Sequence, residues 1–390
     1  MALLNKEDFY NTFFQKDKIS PVFSKLFYKY NNSKFYNSES TEINKDKPKV
    51  NFISLFPQYL YPEIANINNV TVKKVQQKKL DGFAILIDGV KNADTYLVNT
   101  FKSSTRGPIK KKIKRLESCF NIHYKMFYGD ITEVDYNVIM PQLKTMIKRR
   151  FIQRNNTNEA LGKWDSYLNT TLSQIKTKEA SLFVLYSDNE IIGISLNYHI
   201  NKVFIGHIIA YNIDYSKFGI GNTIVYKLLE WSIKNDYAIF DMGNGALDYK
   251  RIWSNLSYNY EYYIVYKKSS FLALFFGQLQ VFKVQFKNLL KKYNVVDNFR
   301  KIKAYLLGKN KQDVNLQKSL SFEEIKAEVF KQLKLTKIEF HNVANNLLKK
   351  AVIDFTFAHQ DHINDIEVFK VDNSTFIIKG TSSTQKVIID

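Results

Sequence analysis

The chain has 390 residues, 45% of them apolar and including 30 Phe and 25 Tyr, so it is too long for one ordinary core and can fill two or three. Its formal net charge of +20 is unusual and lies upstream of residue 311, and a single cysteine, Cys119, excludes an internal disulfide framework and a cysteine zinc site. No run of about 18 uninterrupted apolar residues occurs, so no spanning helix is expected; the charged N-terminus lacks a secretory apolar region, and the expected compartment is the cytoplasm.

The first 60 residues are rich in Asn, Lys and aromatics, and 31–50 read as a loop. Asn66 to Lys79 reads as a helix. FAILID (83–88), bounded by Gly82 and Gly89, reads as a buried strand, and TYLVN (95–99) as another. Between Lys102 and Arg115 there are seven basic residues and no acidic one. Ile109, Ile113 and Leu116 recur at helical spacing and Pro108 suits a first turn, which predicts an amphipathic helix with a basic face. That face fits nucleic acid, an anionic cofactor such as a nucleotide phosphate, or plain solvation. The lack of interleaved stacking aromatics, and of any zinc-finger or RNA-recognition signature, weighs against nucleic acid. Cys119 reads as a small buried hydrophobe.

Residues 121–128 read as a strand, and 133–152 and 163–178 as helices. SLFVLYS (181–187), IIGISLNYHI (191–200) and VFIGHIIAYN (203–212) are strands joined by short turns, a meander. A loop with Gly219 and Gly221 then opens a helix with Ile224, Leu228, Leu229 and Trp231 at its apolar positions. A strand through Phe240 runs into Asp241, after which Gly243, Gly245, Asp248, Tyr249, Lys250, Arg251 and Trp253 crowd together. Polar and basic groups gathered after a strand suggest a site at a sheet end; a capped turn with a salt-bridged rim accounts for them equally. EYYIVYKK (261–268) adds a last strand to an α+β layered arrangement.

Residues 271–305 are apolar at first, then lysine-rich with one acid, Asp297. Such a stretch lies on an anionic membrane surface or packs its apolar face onto the core. Tyrosine stops at Tyr305, and 311–390 hold 11 basic and 11 acidic residues, so GKNKQDVNLQKS reads as a linker before a separate segment. There SFEEIKAEVFKQL reads as a helix capped by Ser321 with Glu324 three residues on, a second helix falls near 341–350, and 366–380 form a hairpin turning at Asp372-Asn373. His359 and His362 are weak evidence for a metal. A docking or oligomerisation module fits this segment.

The order of elements, with those residues, resembles the GNAT superfamily of acyltransferases, more narrowly its BioF2-like (CelD-like) branch, related to the FemAB aminoacyl transferases. The basic STRGPIKKKIKRLE helix, the meander, the glycine loop and the ending Asp241, Gly243, Gly245, Tyr249, Lys250 carry the resemblance over roughly 100–265. It implies tandem GNAT-like lobes, each a mixed sheet flanked by helices: a degenerate lobe (1–150) ending in the basic helix and a catalytic lobe (151–268). A basic amphipathic extension (269–310) and a small C-terminal α+β module (311–390) would follow.

The implied activity is acyl transfer from acetyl-CoA or another acyl-CoA to an amine, such as that of an amino sugar or envelope precursor, by direct attack on the thioester and without a metal. Exposed N–H groups at Phe218, Gly219, Ile220, Gly221 and Asn222 would cradle the pyrophosphate, although a plain glycine turn explains the same residues. Asp241 would be the base or the amine anchor, or else a cap or ion-pair partner of Lys250 or Arg251. Lys250 would meet an anionic group, and Tyr249 would donate to the leaving thiolate or pack. His207 is a catalytic candidate, though alternation places it beside Ile205 and Ile209 as a core histidine, and His199 is similar. An aminoacyl transferase using charged transfer RNA, and a non-catalytic basic binding protein on the same fold that targets nucleic acid or membrane, are the alternatives; a cytoplasmic location peripheral to the inner membrane face fits the basic stretch at 271–305.

Overall fold

The computed structural model describes residues 3–16, 19–37, 50–65, 67–154, 159–245, 247–294, 320–325, 335–340 and 346–389. It begins with β1 (Leu4–Asp8), α1 (Phe9–Lys16), β2 (Phe23–Tyr28), β3 (Lys34–Asn37), β4 (Val50–Pro57), β5 (Leu60–Ile64) and β6 (Val70–Leu86). Helices α2 (Ala93–Thr100) and α3 (Ser103–Cys119), strand β7 (Ile122–Phe127), and helices α4 (Glu133–Gln153), α5 (Glu159–Gly162) and α6 (Trp164–Lys176) follow. Strands β8 (Ala180–Ser187), β9 (Glu190–Ile200) and β10 (Val203–Tyr211) lead through a 3-10 turn (Ile213–Phe218) into α7 (Ile220–Lys234). Next are β11 (Ile239–Asn244), α8 (Asp248–Trp253), β12 (Leu256–Lys267) and α9 (Phe271–Lys292). The chain closes with β13 (Leu320–Glu324), β14 (Thr336–Ile338), α10 (Asn346–His359), β15 (Glu367–Lys370), β16 (Thr375–Lys379) and β17 (Thr384–Ile389).

These elements form two compact units. The first comprises Met1–Lys91, Tyr198–His207 and Ser232–Gln312. Its strands lie in the order β1-β4-β12-β6-β11, with the first residues of β10 beside β11. The β1–β4 and β10–β11 pairs are parallel and the others antiparallel, so the sheet is mixed. Aromatic residues fill the core: the Phe56 ring lies 4.5 Å from Phe9, 5.4 Å from Phe23 and 4.8 Å from Tyr263. Helix α9 sets Ala273, Val281 and Val284 against Val50, Tyr262, Ile264 and Tyr266. Gly277 is required there, because a Cβ would come within 2.4 Å of the Tyr266 ring.

The second unit comprises Asn92–Asn197, Ile208–Trp231 and Asp313–Asp390. It holds the strand order β9-β8-β7, in which β8 and β9 are the first two strands of the predicted meander, and a five-stranded antiparallel sheet, β13-β17-β16-β15-β14, in its C-terminal part. Helix α3 buries Ile109, Ile113, Leu116 and Cys119, the stripe its spacing predicts. Its side chains tie α10 down: Arg115 stacks 4.7 Å over the Phe357 ring and donates to the Phe357 carbonyl at 3.1 Å. The Phe357 ring meets Phe218 edge-on at 5.0 Å.

Five local expectations are overturned. Of the helix expected at 66–79, Ile67–Asn69 form a 3-10 turn and the rest from Val70 is the first part of β6, which pairs with β12 from Val70↔Lys267 to Ala84↔Leu256; Val70, Thr71, Val72 and Val75 suit that partner. The strand expected at 95–99 is helix α2, nucleated by Asn92, whose side chain accepts from the Thr95 N–H at 2.8 Å. Ser321 caps no helix but lies in β13, where pairing with β17 supplies the backbone hydrogen bonds that a cap would otherwise offer. Pro108 is the sixth residue of α3, beyond its first turn. Lys34–Asn37, expected as loop, pairs as β3 with β2. The linker, residues 295–305 of the basic stretch, 326–333 of the Ser321 helix and 341–345 lie outside the described residues. Among the described residues no helix is long and apolar enough to cross a membrane.

Candidate functional site

In the second unit the glycine loop closes the 3-10 turn and opens α7. Gly219 takes a left-handed conformation (φ 72°), which terminates the turn. Its N–H already donates to the Ser216 carbonyl at 3.1 Å, and the Asn222 N–H donates to the Gly219 carbonyl at 2.9 Å. Helix geometry leaves the first-turn amides of Ile220 and Gly221 without an intrahelical acceptor. Phe218 and Ile220 are fully buried, whereas Gly219, Gly221 and Asn222 are partly exposed. Lys112, an exposed residue of α3, lies across the loop: its Cδ would be 3.0 Å from a Cβ on Gly219. The basic helix and the glycine loop, separate features in the sequence, thus meet at one place.

Elsewhere in this unit, Arg149 of α4 donates to Asn212 at 3.0 Å and to both carboxylate oxygens of Asp214 at 3.0 and 3.1 Å. Arg149 and Asn212 line a cleft of about 230 Å³ with Glu190, Gln142 and Met146. The bidentate pairing fixes the start of the 3-10 turn that carries the loop.

In the first unit Asp241 is wholly enclosed. Tyr59 Oη donates to Oδ2 at 2.8 Å, Tyr258 Oη lies 2.8 Å from both carboxylate oxygens, and the Gly243 N–H donates to Oδ1 at 2.7 Å. Tyr260 joins through a 3.0 Å contact between hydroxyls. Burial pushes the Asp241 carboxyl above its ordinary range, opposed by the Gly243 N–H, the two tyrosine hydroxyls and the charge of Lys250. Burial also raises Tyr59 and Tyr258 well above the normal phenol range, so both stay protonated donors.

Lys250, on α8, is buried and donates to the Asn244 carbonyl at 2.5 Å. Loss of solvation pulls its ammonium down to about 8, partly resisted by Asp241. Tyr249 is half-buried on the same helix. His207 is half-buried, its ring 5.2 Å from that of Tyr198. His199 is a buried core histidine, 2.8 Å from Tyr237 Oη and held neutral by burial down to about 3. Beside Asp241 the parallel pairing of β10 and β11 runs only from Val203↔Ile239 to Ile205↔Asp241, although β11 continues to Asn244. The β11 register against β6 shifts across the same residues, Asp241 to Asn244.

Residues 103–251 match the family model of the acetyltransferase (GNAT) domain. The chain carries a GNAT-superfamily domain. The matched GNAT segment begins at the first residue of α3, contains the glycine loop and Asp241, and ends inside α8 at Arg251. No curated protein matches the chain. Solved structures similar to it include a conserved protein of unknown function from Bacteroides thetaiotaomicron VPI-5482 (13% identity over 56% of this chain and 70% of that one, TM-score 0.39). FemX is similar at 11% identity over 56% of this chain and 72% of its own, with a TM-score of 0.38. A GCN5-related N-acetyltransferase from Sphaerobacter thermophilus aligns at 11% identity over 55% of this chain and 59% of that one, TM-score 0.31.

Sequence reasoning singled out Asp241 and Lys250 of the GNAT segment but not the groups around them. Tyr258 and Tyr260 carry a readable signal, the period-two tyrosines of SYNYEYY, which put them on one face of a strand. Lys112 is one of seven bases in its run, with nothing local to distinguish it. Tyr59 reaches Asp241 across 182 residues and leaves no trace in the sequence.

Proposed function

We propose that this chain is an acyl-CoA-dependent N-acyltransferase. The observation that carries the reading is the GNAT-domain match over residues 103–251, which takes in the basic helix, the glycine loop and the Asp241–Lys250 turn. The early end of the β10–β11 pairing supports it, since parted parallel strands offer backbone groups to a pantetheine arm. The meeting of Lys112 with the partly exposed loop supports an anionic donor, whose phosphates would take the amides of Ile220 and Gly221.

In this reading an acceptor amine attacks the thioester carbonyl, the C–N bond forms, and the C–S bond breaks to release the thiolate of coenzyme A. The amine must lose a proton. Lys250, with its ammonium near 8, is neutral often enough at mildly alkaline pH to accept it. Asp241, saturated by three donor groups, acts as a positioning residue that holds the Gly243 turn and the charge balance of Lys250. Tyr249 and His207 are further candidates for contact with the leaving thiolate or the acceptor. The acceptor is a small amine, with an amino sugar or envelope saccharide precursor as the class to try first.

The test is calorimetric titration of the full chain with acetyl-CoA, followed by a thiol-release assay with a panel of amino sugars. Saturable binding and amine-dependent release of free thiol are expected. Binding of charged transfer RNA without binding of acetyl-CoA would replace this reading with the aminoacyl-transfer one.

A further inference from the structure

Helix α9 has two apolar faces. One packs on the first unit's sheet, as described above. The other consists of Phe271, Phe275, Phe282, Phe286 and Leu289, continued by Tyr293 at the C-cap, each between 48% and 83% exposed. At about 100° per residue these six positions fall within a sector of roughly 60°, opposite the buried face, along a helix of about 33 Å. The expected choice between packing on the core and lying on a membrane surface is therefore no choice, since each task has its own face.

The charges flanking the exposed stripe have one sign. Helix α9 carries Lys283, Lys287, Lys291 and Lys292 and no acidic residue. Lys78 and Lys79 of β6 are exposed beside its C-terminal half, where the Lys291 ammonium donates to the Lys78 carbonyl at 2.9 Å and the Asn288 side chain bonds the Gln76 carbonyl at 2.8 Å. A stripe of large apolar side chains whose charged neighbours on the helix are all cations is complementary to a surface with an apolar interior and anionic headgroups. A protein partner of ordinary composition would meet the same lysines with mixed charge.

The geometry points to α9 as an in-plane membrane helix that seats the first unit on an anionic lipid surface, its aromatic stripe entering the acyl boundary and its lysines meeting the headgroups. The helix lies along the surface and does not cross it.

The experiment is co-sedimentation of the full chain with vesicles of phosphatidylcholine alone or with one third phosphatidylglycerol, at low and high salt. Two variants accompany it: Phe275→Ser with Phe282→Ser and Phe286→Ser, and Lys283→Gln with Lys287→Gln and Lys292→Gln. All six side chains are exposed, so both variants should melt with the wild type, and a melting curve checks this. Binding to the anionic vesicles at low salt is expected, weakened by high salt. The lysine variant should lose about fivefold in partitioning per charge removed. The serine variant should lose binding to both vesicle types. Failure of the wild type to bind anionic vesicles at low salt, or undiminished binding by the serine variant, overturns the inference. A wild-type dimer that the serine variant splits, with no vesicle binding, gives the stripe to a second copy and overturns it equally.

Discussion

Replacing Tyr258 with Phe removes one hydroxyl and nothing else from the enclosure of Asp241. That hydroxyl lies 2.8 Å from both carboxylate oxygens, so its loss leaves a fully buried acid with Tyr59 and the Gly243 N–H as donors. A hydrogen bond to a charged group contributes about 1.5–3 kcal/mol, and no water can replace it at a site with no exposure. We expect a loss near 2 kcal/mol, read by urea unfolding with linear extrapolation. The sharper measurement is a double-mutant cycle with Asp241→Asn, which should return a coupling of about 1.5 kcal/mol, because the Tyr258 hydroxyl matters chiefly as a partner of the carboxylate. A loss below about 0.5 kcal/mol for Tyr258→Phe, or a coupling near zero, refutes the view that the Tyr258 hydroxyl holds the Asp241 carboxyl in place.

If Lys250 accepts the amine proton, turnover should rise with pH through about 8 and then level off, since only the neutral amine can take a proton. Lys250→Arg, charged at every accessible pH, should lower kcat by about 10²-fold and abolish that rise; a pH profile unchanged by the substitution removes Lys250 from the chemistry. Lys112→Gln should weaken acetyl-CoA binding up to about fivefold in a salt-sensitive way and leave kcat at saturation unchanged, read by titration and initial rates. Gly277→Ala tests the seating of α9 by sign alone. Helix propensity favours alanine by about 1 kcal/mol, but a Cβ 2.4 Å from the Tyr266 ring should make the variant less stable in a thermal melt.

Much of the fold was legible where periodicity and burial agree. The stripe of Ile109, Ile113 and Leu116 announced α3, and strands β8 to β10 alternate or run apolar between short turns. Legibility failed where a distant partner decides. The lysines and glutamines of β6 look helical until β12 is available to pair along its whole length, and Ser321 carries a capping signature that pairing with β17 overrides. TYLVN failed for a local reason, because Asn92 just upstream caps a helix that its β-branched residues alone do not suggest. Of the candidate site, the chemistry-bearing residues Asp241 and Lys250 could be read from their crowded turn. Their environment could not, since enclosure, a cage of tyrosines and an ammonium drawn toward neutrality arise only once residues 59, 241 and 258 share a core.

The ring of Phe357 behind Phe218 makes the last helix of the chain a backstop for the glycine loop. A chain cut before residue 320 would keep every residue of the family match, yet Phe218 would face water and Arg115 would lose its stacking partner. The shortest piece that carries the family's pattern is therefore not the shortest piece that can hold its loop in shape.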